Sequence, residues 1–322
     1  MYLIAEIGFN HNGDIHLAVD MIRAAAEAGA DAVKFQTFRA KDIALPSSPH
    51  YALIEKGEMS FEDHERLRRE AKTQGIDFMS TPFSIDAVDL LAKVGVSAFK
   101  IASMDCTNTM LLKKVAAAGK PIYLSTGMAS MEEISAAVDT LKSANCKNIY
   151  VLHCISHYPA SADQLNLSII PYLKEQLDGI VIGYSDHFPG IEACFAAAVI
   201  GAQVIETHFT LDKTIPEGDH SHSADPADLK ALKSRLALFE SMAGSAQAIS
   251  QRPDQECAKD FRRGVYTRRE LKKGDTLKSE DLQFTRPASD FTPDDIDFLE
   301  GKIVTEDLPV NAPVTKKILD FG

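Results

Sequence analysis

The stretch Val94-Gly95-Val96-Ser97-Ala98-Phe99-Lys100 places a glycine just ahead of a short apolar run that ends in a charged residue. The same arrangement recurs at residues 28–34, with Gly29 and Lys34, and at residues 200–206, with Gly201 and Glu206. A glycine in this position is typical of a helix end, and the apolar run after it is typical of a buried strand. The repeat therefore predicts helix–strand units in which a charged side chain stands near the end of the strand.

Apolar runs of this kind recur throughout the first 250 residues. Eight of them are candidate strands, at 2–7, 31–37, 76–83, 97–103, 121–127, 149–154, 180–186 and 204–210. Longer amphipathic runs lie between them, for example 15–28, 61–73, 85–94, 130–144 and 227–249. Strands buried on both faces and separated by helices indicate a parallel sheet. Eight such units predict an α/β fold, a (β/α)8 TIM barrel over residues 1–249.

An open, doubly wound parallel sheet is the alternative architecture for the same alternation. Such sheets usually carry a Gly-x-Gly-x-x-Gly turn after their first strand, where the turn holds a phosphate. Here that turn reads Gly8-Phe9-Asn10-His11-Asn12-Gly13 and lacks the required spacing. The barrel is therefore the favoured prediction.

The pattern changes after residue 250. Residues 250–260 predict a linker, and short strand-like pieces separated by turns follow at 264–266, 271–275, 282–285, 302–304 and 312–314. We expect residues 261–322 to form a small β-rich domain. A domain of about sixty residues is near the lower limit of independent stability, so it should lean on a neighbour.

Composition excludes several classes of function. The 34 basic and 46 acidic residues give a net charge of −12, without a long basic run, which argues against a nucleic-acid partner. The apolar runs are too short to cross a bilayer, and no basic segment precedes an apolar one at the N-terminus. Five cysteines show neither metal-ligand spacing nor a disulfide framework. We therefore expect a cytoplasmic protein without a membrane partner.

Polar side chains mark the ends of nearly all the predicted strands. Active sites of TIM barrels lie at these carboxyl ends, so the side chains are candidate site residues. They are Glu6, Lys34, Gln36, Ser80, Thr81, Lys100, Ser103, Ser125, Thr126, His153, Ser156, Tyr158, Ser185, Asp186, His187, Glu206 and His208.

Lys34 and Lys100 are the most informative members of this set. A single lysine in a strand is commonly ion-paired or extends its ammonium to solvent. Two lysines in otherwise apolar strands, among hydroxyls at equivalent positions, are better explained by a bound anion that offsets their charge. The pattern predicts a phosphate or carboxylate site.

His187 and His208 end neighbouring predicted strands, close enough to bind one divalent metal. Without a nearby cysteine, the pair suits Mn²⁺, Mg²⁺, Fe²⁺ or Zn²⁺. His220 and His222 follow closely in the sequence. They either join this site or lie on a surface loop.

A set of ordered motifs resembles the sialic acid (N-acetylneuraminate) synthase family, which includes legionaminic and pseudaminic acid synthases. The tail from Leu271 through Arg286-Pro287 is similar to that family's antifreeze-like (SAF) domain. The barrel motifs are Ala5-Glu6-Ile7-Gly8-Phe9-Asn10-His11-Asn12-Gly13, Val33-Lys34-Phe35-Gln36-Thr37, Ser80-Thr81-Pro82-Phe83-Ser84, Phe99-Lys100-Ile101-Ala102-Ser103, Leu124-Ser125-Thr126-Gly127-Met128, Gly183-Tyr184-Ser185-Asp186-His187 and Glu206-Thr207-His208-Phe209-Thr210.

The resemblance implies an enzyme that condenses phosphoenolpyruvate with an amino-sugar aldehyde, and it implies a role for each site residue. Glu6 would transfer protons, and His187 and His208 would bind Mn²⁺ or Mg²⁺. Phosphoenolpyruvate would be held by Lys34, Thr81, Lys100, Ser103, Ser125, Ser156 and Ser185. The sugar would be contacted by Gln36, Asp105, Tyr158 and Asp219, and by Arg286 from the partner subunit of a domain-swapped homodimer.

Departures from the family pattern bear on the acceptor sugar. Ser156 stands where relatives often have Asn, Asp105 replaces the usual Glu, and Glu217-Gly218-Asp219 replaces Gly-Pro-Asp. The stretch Glu6-Ile7-Gly8 differs from the Glu-Leu-Ser of pseudaminic acid synthases. It favours N-acetylmannosamine or a legionaminic-type precursor as acceptor.

Two other functions remain open at this point. A Schiff-base aldolase or lyase would also use a lysine in a barrel strand, but it would not need a metal. A non-enzymatic carbohydrate- or ice-binding protein would fit the antifreeze-like tail. Such a protein would not require paired lysines and histidines at strand ends.

Overall fold

The computed structural model describes residues 1–49 and 51–320, with only the backbone described for Leu53, Ser250, Gln251 and Pro253. Its strands form a closed parallel barrel in chain order, in which the first strand also pairs with the eighth. The strands are β1 (Tyr2–Glu6), β2 (Ala32–Thr37), β3 (Asp77–Pro82), β4 (Ala98–Ile101), β5 (Ile122–Ser125), β6 (Ile149–Cys154), β7 (Val181–Asp186) and β8 (Val204–His208). Each predicted apolar run contains one of them, which confirms the TIM barrel.

Helices connect the strands. They are α1 (Ile15–Glu27), α2 (Ala40–Ile43), α3 (Tyr51–Lys56), α4 (Phe61–Gln74), α5 (Ile85–Val94), α6 (Thr109–Ala117), α7 (Met131–Ser143), α8 (Ile169–Gln176), α9 (Glu192–Val199) and α10 (Pro226–Ala243). The prediction that the last of these extends to residue 249 is wrong, because Gly244 has a φ of 52° and ends it. Within residues 1–49 and 51–320, no helix is long and apolar enough to span a membrane.

The core of the barrel follows from the alternation of strand side chains. Leu3, Val33 and Phe35 pack outward against the helices. A second cluster inside the barrel is formed by Ile4, Ala32, Met79, Ala98, Tyr123, Leu152 and Val204. These apolar side chains fill the interior of the barrel. The polar side chains therefore lie at the carboxyl ends of the strands.

A second unit begins at Gly244, after the barrel unit that ends at Ala243. It contains α11 (Ala258–Phe261), α12 (Ile296–Leu299) and two antiparallel strand pairs. The pairs join β9 (Gly264–Thr267) to β10 (Leu282–Thr285) and β11 (Ile303–Val304) to β12 (Leu319–Asp320). Its own apolar core includes Val265, Leu271, Leu282 and Leu299. The predicted linker over residues 250–260 stays a prediction.

Candidate active site

A cavity of about 570 Å³ lies at the carboxyl ends of the strands. All the barrel residues to which the family resemblance gives a role, except Asp105, line it: Glu6, Lys34, Gln36, Thr81, Lys100, Ser103, Ser125, Ser156, Tyr158, Ser185, His187, His208 and Asp219. The strand-end candidates Ser80, Thr126, His153 and Asp186 do not line it. Strand register explains this convergence, because Glu6 pairs with Lys34 on one side and with His208 on the other.

One end of the cavity, here called the anion end, contains Glu6, Lys34, Lys100 and Glu206. The Lys34 Nζ lies 2.9 Å from Glu6 Oε2 and 3.8 Å from Glu206 Oε2. The Lys100 Nζ lies 3.2 Å from Glu206 Oε1. The expectation that the lysines require a bound anion as their counter-charge is therefore wrong. Register places a carboxylate beside each ammonium, and the four charges sum to zero.

Burial and charge together set the protonation of this quartet. Burial raises the pKa of the Glu6 carboxyl, an effect that Lys34 opposes. Burial alone would also raise the pKa of Glu206, but Lys100 and Lys34 outweigh it and lower that pKa to about 2. Of the two carboxyls, Glu6 has the raised pKa and is therefore the better candidate for proton transfer.

Hydroxyl groups surround the lysines at the anion end. Thr81 Oγ1 accepts a hydrogen bond from Lys34 Nζ at 3.3 Å, and Ser185 Oγ donates to Glu206 Oε1 at 2.8 Å. The buried Ser125 Oγ has no hydrogen-bond partner among the described residues. An unpartnered buried hydroxyl in a cavity of this kind is available to a ligand oxygen.

Gly127 leaves room for two more hydroxyls. Its backbone N–H donates to Ser103 Oγ at 3.0 Å. A Cβ at this position would stand 2.4 Å from Ser156 Oγ and 2.8 Å from Ser103 Oγ. Only glycine lets both serine side chains approach the backbone here, so the sequence motif around Gly127 has a steric reason.

Another part of the cavity is lined by His187, His208 and Asp219. His222 packs beside His208, and these four residues are here called the metal end. The ring centres of His187 and His208 are 5.2 Å apart, as are those of His208 and His222. Ligand atoms of His208, Asp219 and His222 lie within 4.8 Å of one another, and this group could hold a metal ion. The alternative of His220 and His222 on a surface loop is wrong, because both are buried.

The protonation of these imidazoles suits a metal. Burial lowers the pKa of His187 to about 3 and that of His208 to about 4. His187 Nδ1 donates to the Ile155 carbonyl at 2.7 Å, which leaves Nε2 with its lone pair. The buried His208 Nδ1 and His222 Nε2 have no hydrogen-bond partner among the described residues. Neutral rings with free nitrogens are the form that binds a divalent ion.

Asn10 holds the segment that carries Asp219 and His222. Its Nδ2 donates to the Phe209 carbonyl and to Ser223 Oγ, each at 3.0 Å, and its Oδ1 accepts from the Asp219 N–H at 3.2 Å. Asn10 follows β1, whereas the segment follows β8. The sequence did not single out Asn10, although it lies in the motif that ends at Gly13.

His220 takes a different role from His222. Its Nδ1 lies 2.7 Å from Thr210 Oγ1, and its Nε2 lies 3.5 Å from Asn12 Nδ2. Both ring nitrogens therefore face protein partners, which anchors the segment.

Three of the predicted sugar contacts, Gln36, Tyr158 and Asp219, line the cavity, and a fourth, Asp105, does not. Gln36 Nε2 donates to Glu6 Oε1 at 2.9 Å, and the Tyr158 ring centre lies 4.1 Å from that of His187. Asp105 is buried outside the lining, where its Oδ1 accepts from Asn108 Nδ2 at 2.9 Å.

Arg286 belongs to the second unit. Its guanidinium carbon lies 5.3 Å from the ring centre of Phe261, in a cation–π contact within that unit. Its predicted role toward a sugar stays a prediction.

Sequence analysis named Glu206 among the strand-end candidates without giving it a role, left His222 open, and did not single out Cys154. Glu206 stands two residues before His208, and the two side chains share a face because strand side chains alternate with period two. Cys154 ends β6 and lines the cavity. His222 follows no periodic pattern, so its burial beside His208 could not be read from spacing.

Comparisons with known proteins agree with this geometry. A family model described as the NeuB family matches residues 21–248, and one described as the SAF domain matches residues 262–319. The N,N'-diacetyllegionaminic acid synthase of Legionella pneumophila is 38% identical over 95% of this chain and 91% of its own length. The N-acetylneuraminate-9-phosphate synthase of Homo sapiens is 33% identical over 99% of this chain and 92% of its own.

A solved structure is also similar. The N-acetylneuraminic acid (sialic acid) synthetase of Leptospira borgpetersenii, in complex with citrate, is 36% identical with a TM-score of 0.76, and the match covers 79% of this chain and 89% of that one. These matches confirm the resemblance seen in the motifs. The chain belongs to the NeuB family and carries a C-terminal SAF domain.

Proposed function

We propose that this NeuB-family enzyme condenses phosphoenolpyruvate with N-acetylmannosamine or a related hexosamine aldehyde. Water is the third reactant, and the products are a nonulosonate and phosphate. The observation that carries the proposal is a single cavity with paired lysines and hydroxyls at its anion end and two imidazoles, His187 and His208, at its metal end. The names of the Legionella, human and Leptospira relatives support the same class of reaction.

The anion end binds and orients phosphoenolpyruvate. Lys34 and Lys100 offset charge on its phosphate and carboxylate, and Ser103, Ser125 and Ser156 add hydroxyl contacts. Thr81 and Ser185 keep the lysines and Glu206 in place. The lysines act by charge and position and form no covalent bond with the substrate.

The reaction balances without an oxidant or reductant. A bond forms between C3 of phosphoenolpyruvate and the aldehyde carbon, whose oxygen takes a proton. Water adds to the former C2, the bond from C2 to the phosphate oxygen breaks, and the water oxygen becomes the keto oxygen. Glu6, whose pKa is raised by burial, gives its proton to the aldehyde oxygen and then, as a carboxylate, accepts one proton from that water, whose second proton leaves with the phosphate.

The metal end would hold Mn²⁺ or Mg²⁺ on His187 and His208. The fit is supported by neutral, buried rings and by ring nitrogens that lack protein partners. When bound, the ion supplies Lewis-acid polarisation of the aldehyde oxygen. His187 is held ready by its hydrogen bond to Ile155, which fixes the ring and directs Nε2 away from that carbonyl.

Gln36, Tyr158 and Asp219 would contact the sugar. Asp105, which is buried outside the cavity lining, would influence the sugar indirectly. A legionaminic-type acceptor is the second candidate. It is favoured by the 38% identity to the Legionella enzyme, against 33% to the human one. A panel of N-acetylmannosamine and diacetylated hexosamines, assayed for phosphate release with the product identified by mass, tests both. Absence of phosphate release with the entire panel would contradict the proposal.

Trapping distinguishes the proposed reaction from Schiff-base chemistry. A Schiff-base enzyme should be inactivated by borohydride in the presence of substrate and should survive a chelator. The proposed synthase should resist borohydride and lose activity to the chelator.

We further propose that the enzyme works as a cytoplasmic, domain-swapped homodimer in which Arg286 reaches the partner's sugar site. A planar guanidinium suits the orientation of hydroxyls or an amide carbonyl. Mixing Arg286→Ala with Lys34→Ala subunits would create one site with both native groups, so activity should be recovered in exchanged dimers. Exchanged dimers that stay inactive would exclude a contribution from the partner.

A further inference from the structure

His222 is a buried histidine with an unused ring nitrogen. Its side chain is 3% exposed, and its Nε2 has no hydrogen-bond partner among the described residues. The nearest acidic oxygen is Asp219 Oδ1, at 3.8 Å from that Nε2. Its ring centre lies 5.2 Å from that of His208 and 6.5 Å from that of His187.

Other buried histidines of the chain have found protein partners. His64 Nε2 lies 2.8 Å from Thr37 Oγ1, and His64 Nδ1 lies 2.7 Å from the Ser60 carbonyl. His153 Nε2 donates to the Leu165 carbonyl at 2.7 Å. Leaving a buried polar nitrogen unsatisfied is unfavourable, so His222 requires a partner that the polypeptide does not supply.

The surroundings of His222 select a cation as that partner. The buried His208 Nδ1 also lacks a hydrogen-bond partner, and it lies 3.4 Å from Asp219 Oδ2. Asp219 thus presents one oxygen to each of two imidazoles. Two ring nitrogens without hydrogen-bond partners and a carboxylate, with ligand atoms within 4.8 Å of one another, form a set of ligands for a divalent ion.

We propose that His222 is a direct ligand of the ion that His187 and His208 would hold, and that it binds this ion together with His208 and Asp219. The ligand atoms of His208, Asp219 and His222 all lie within 4.8 Å of one another. Imidazole nitrogens bind a divalent ion at about 2.0–2.1 Å, so modest side-chain adjustment brings all three to one centre. The proposal rests on the proposed function only in that the ion is the one the synthase uses.

An added imidazole changes which metals the centre prefers. Carboxylate and water ligands suit Mg²⁺, whereas imidazoles favour Co²⁺, Zn²⁺ and Fe²⁺. His222 therefore strengthens the binding of these nitrogen-preferring ions much more than the binding of Mg²⁺. A residue that merely fills space would affect all ions alike.

Calorimetric titration of metal-free protein with Co²⁺ and with Mg²⁺, without either substrate, tests the assignment. His222→Ala should raise the Kd for Co²⁺ at least about tenfold, because it removes a ligand, and the Kd for Mg²⁺ much less. His64→Gln is the matched control, since it removes a buried histidine outside the site. It should leave both constants close to those of the unchanged protein. A smaller rise for Co²⁺, or equal rises for both ions, overturns the proposal.

A second variant decides the case even if His222→Ala folds poorly. His222→Cys keeps a ligand atom at this position, and its thiolate should give a near-ultraviolet charge-transfer band with Co²⁺. The unchanged protein, which has Cys154 in its cavity, supplies the baseline. No band above that baseline in Co²⁺-loaded, folded His222→Cys protein overturns the assignment.

Phosphate release by the unchanged protein is measured separately. If that assay fails while the titrations succeed, the proposed function is wrong and the ligand assignment stands. If the assay succeeds and the titrations fail, His222 is not a ligand and the proposed function stands. Failure of the unchanged protein to bind Co²⁺ at all overturns the assignment directly.

Discussion

The two ends of the cavity are built in different ways. The anion end is carried by strands, so the alternation of side chains and the register of neighbouring strands place Glu6, Lys34 and Glu206 together. The metal end draws Asp219 and His222 from the segment after β8, a short 3-10 helix (His220–His222) preceded by Asp219, which is held by hydrogen bonds to Asn10. The charged residues on the strands and the metal-end residues on the segment after β8 should therefore respond differently to mutation, in stability and in ligand affinity.

Removal of the metal should have the largest effect. Chelation of the ion should lower kcat by more than about a hundredfold, because Lewis-acid polarisation contributes several kcal/mol to the transition state. Mn²⁺ or Mg²⁺ should restore turnover. Phosphoenolpyruvate binding, measured by calorimetry in the chelated protein, should persist if the two ends act separately. Full activity in rigorously metal-free protein would contradict the assignment of a catalytic ion to the metal end.

Lys100→Met, a change at the anion end, should have the second largest effect. The change leaves buried Glu206 with one fewer counter-charge, which should lower the free energy of unfolding by about 3–5 kcal/mol. Urea denaturation measures that loss. Adding Glu206→Gln should recover part of the stability without recovering phosphoenolpyruvate binding. Recovery of binding as well would show that Lys100 acts only as an ion-pair partner.

Asn10→Ala should loosen the metal end alone. It removes hydrogen bonds to the Phe209 carbonyl, to Ser223 Oγ and from the Asp219 N–H, so we expect a stability loss of about 1–3 kcal/mol. Metal affinity should fall while the Kd for phosphoenolpyruvate stays unchanged. Equal weakening of both would mean that the ends are mechanically coupled.

Gly127→Ala should produce the smallest of these effects. The new methyl group displaces the Ser103 and Ser156 hydroxyls, which can rotate, so the expected overpacking is about 1 kcal/mol. The KM for phosphoenolpyruvate should rise about fivefold, in keeping with that energy. Metal affinity serves as the internal control and should not move. An unchanged KM would place these serines outside the phosphoenolpyruvate site.

The sequence predicted the strand-borne part of the molecule well because its physical causes are local. Apolar runs between amphipathic helices specify the barrel, and period two brings Lys34 and Gln36 to one face. The sequence analysis assigned the counter-charge of the lysines to a bound anion and did not foresee their ion pairs with Glu6 and Glu206. The anion site itself stays a prediction. Which residues lie side by side depends on register between strands, and one sequence does not reveal register.

The roles of the residues on the segment after β8 could not be predicted, because they too depend on contacts between distant parts of the chain. His220 and His222 are two residues apart, yet one anchors the segment and the other faces Asp219 with a free nitrogen. The difference depends on contacts with three residues. Asn10 and Asn12 are distant in the sequence, and Thr210 lies just after the end of β8. No periodicity links such positions, so only the folded chain distinguishes the two roles.

The electrical neutrality of Glu6, Lys34, Lys100 and Glu206 has a thermodynamic consequence. Phosphoenolpyruvate carries a carboxylate and a phosphate, so it brings to this buried quartet a negative charge that is not already cancelled. A buried site disfavours unbalanced charge, and Glu6 is the group whose protonation would restore the balance. Ligand binding should therefore be linked to proton uptake. The measured enthalpy of phosphoenolpyruvate binding should then vary with the ionisation enthalpy of the buffer. Such a dependence would show that the protein takes up a proton on binding, before the chemical step.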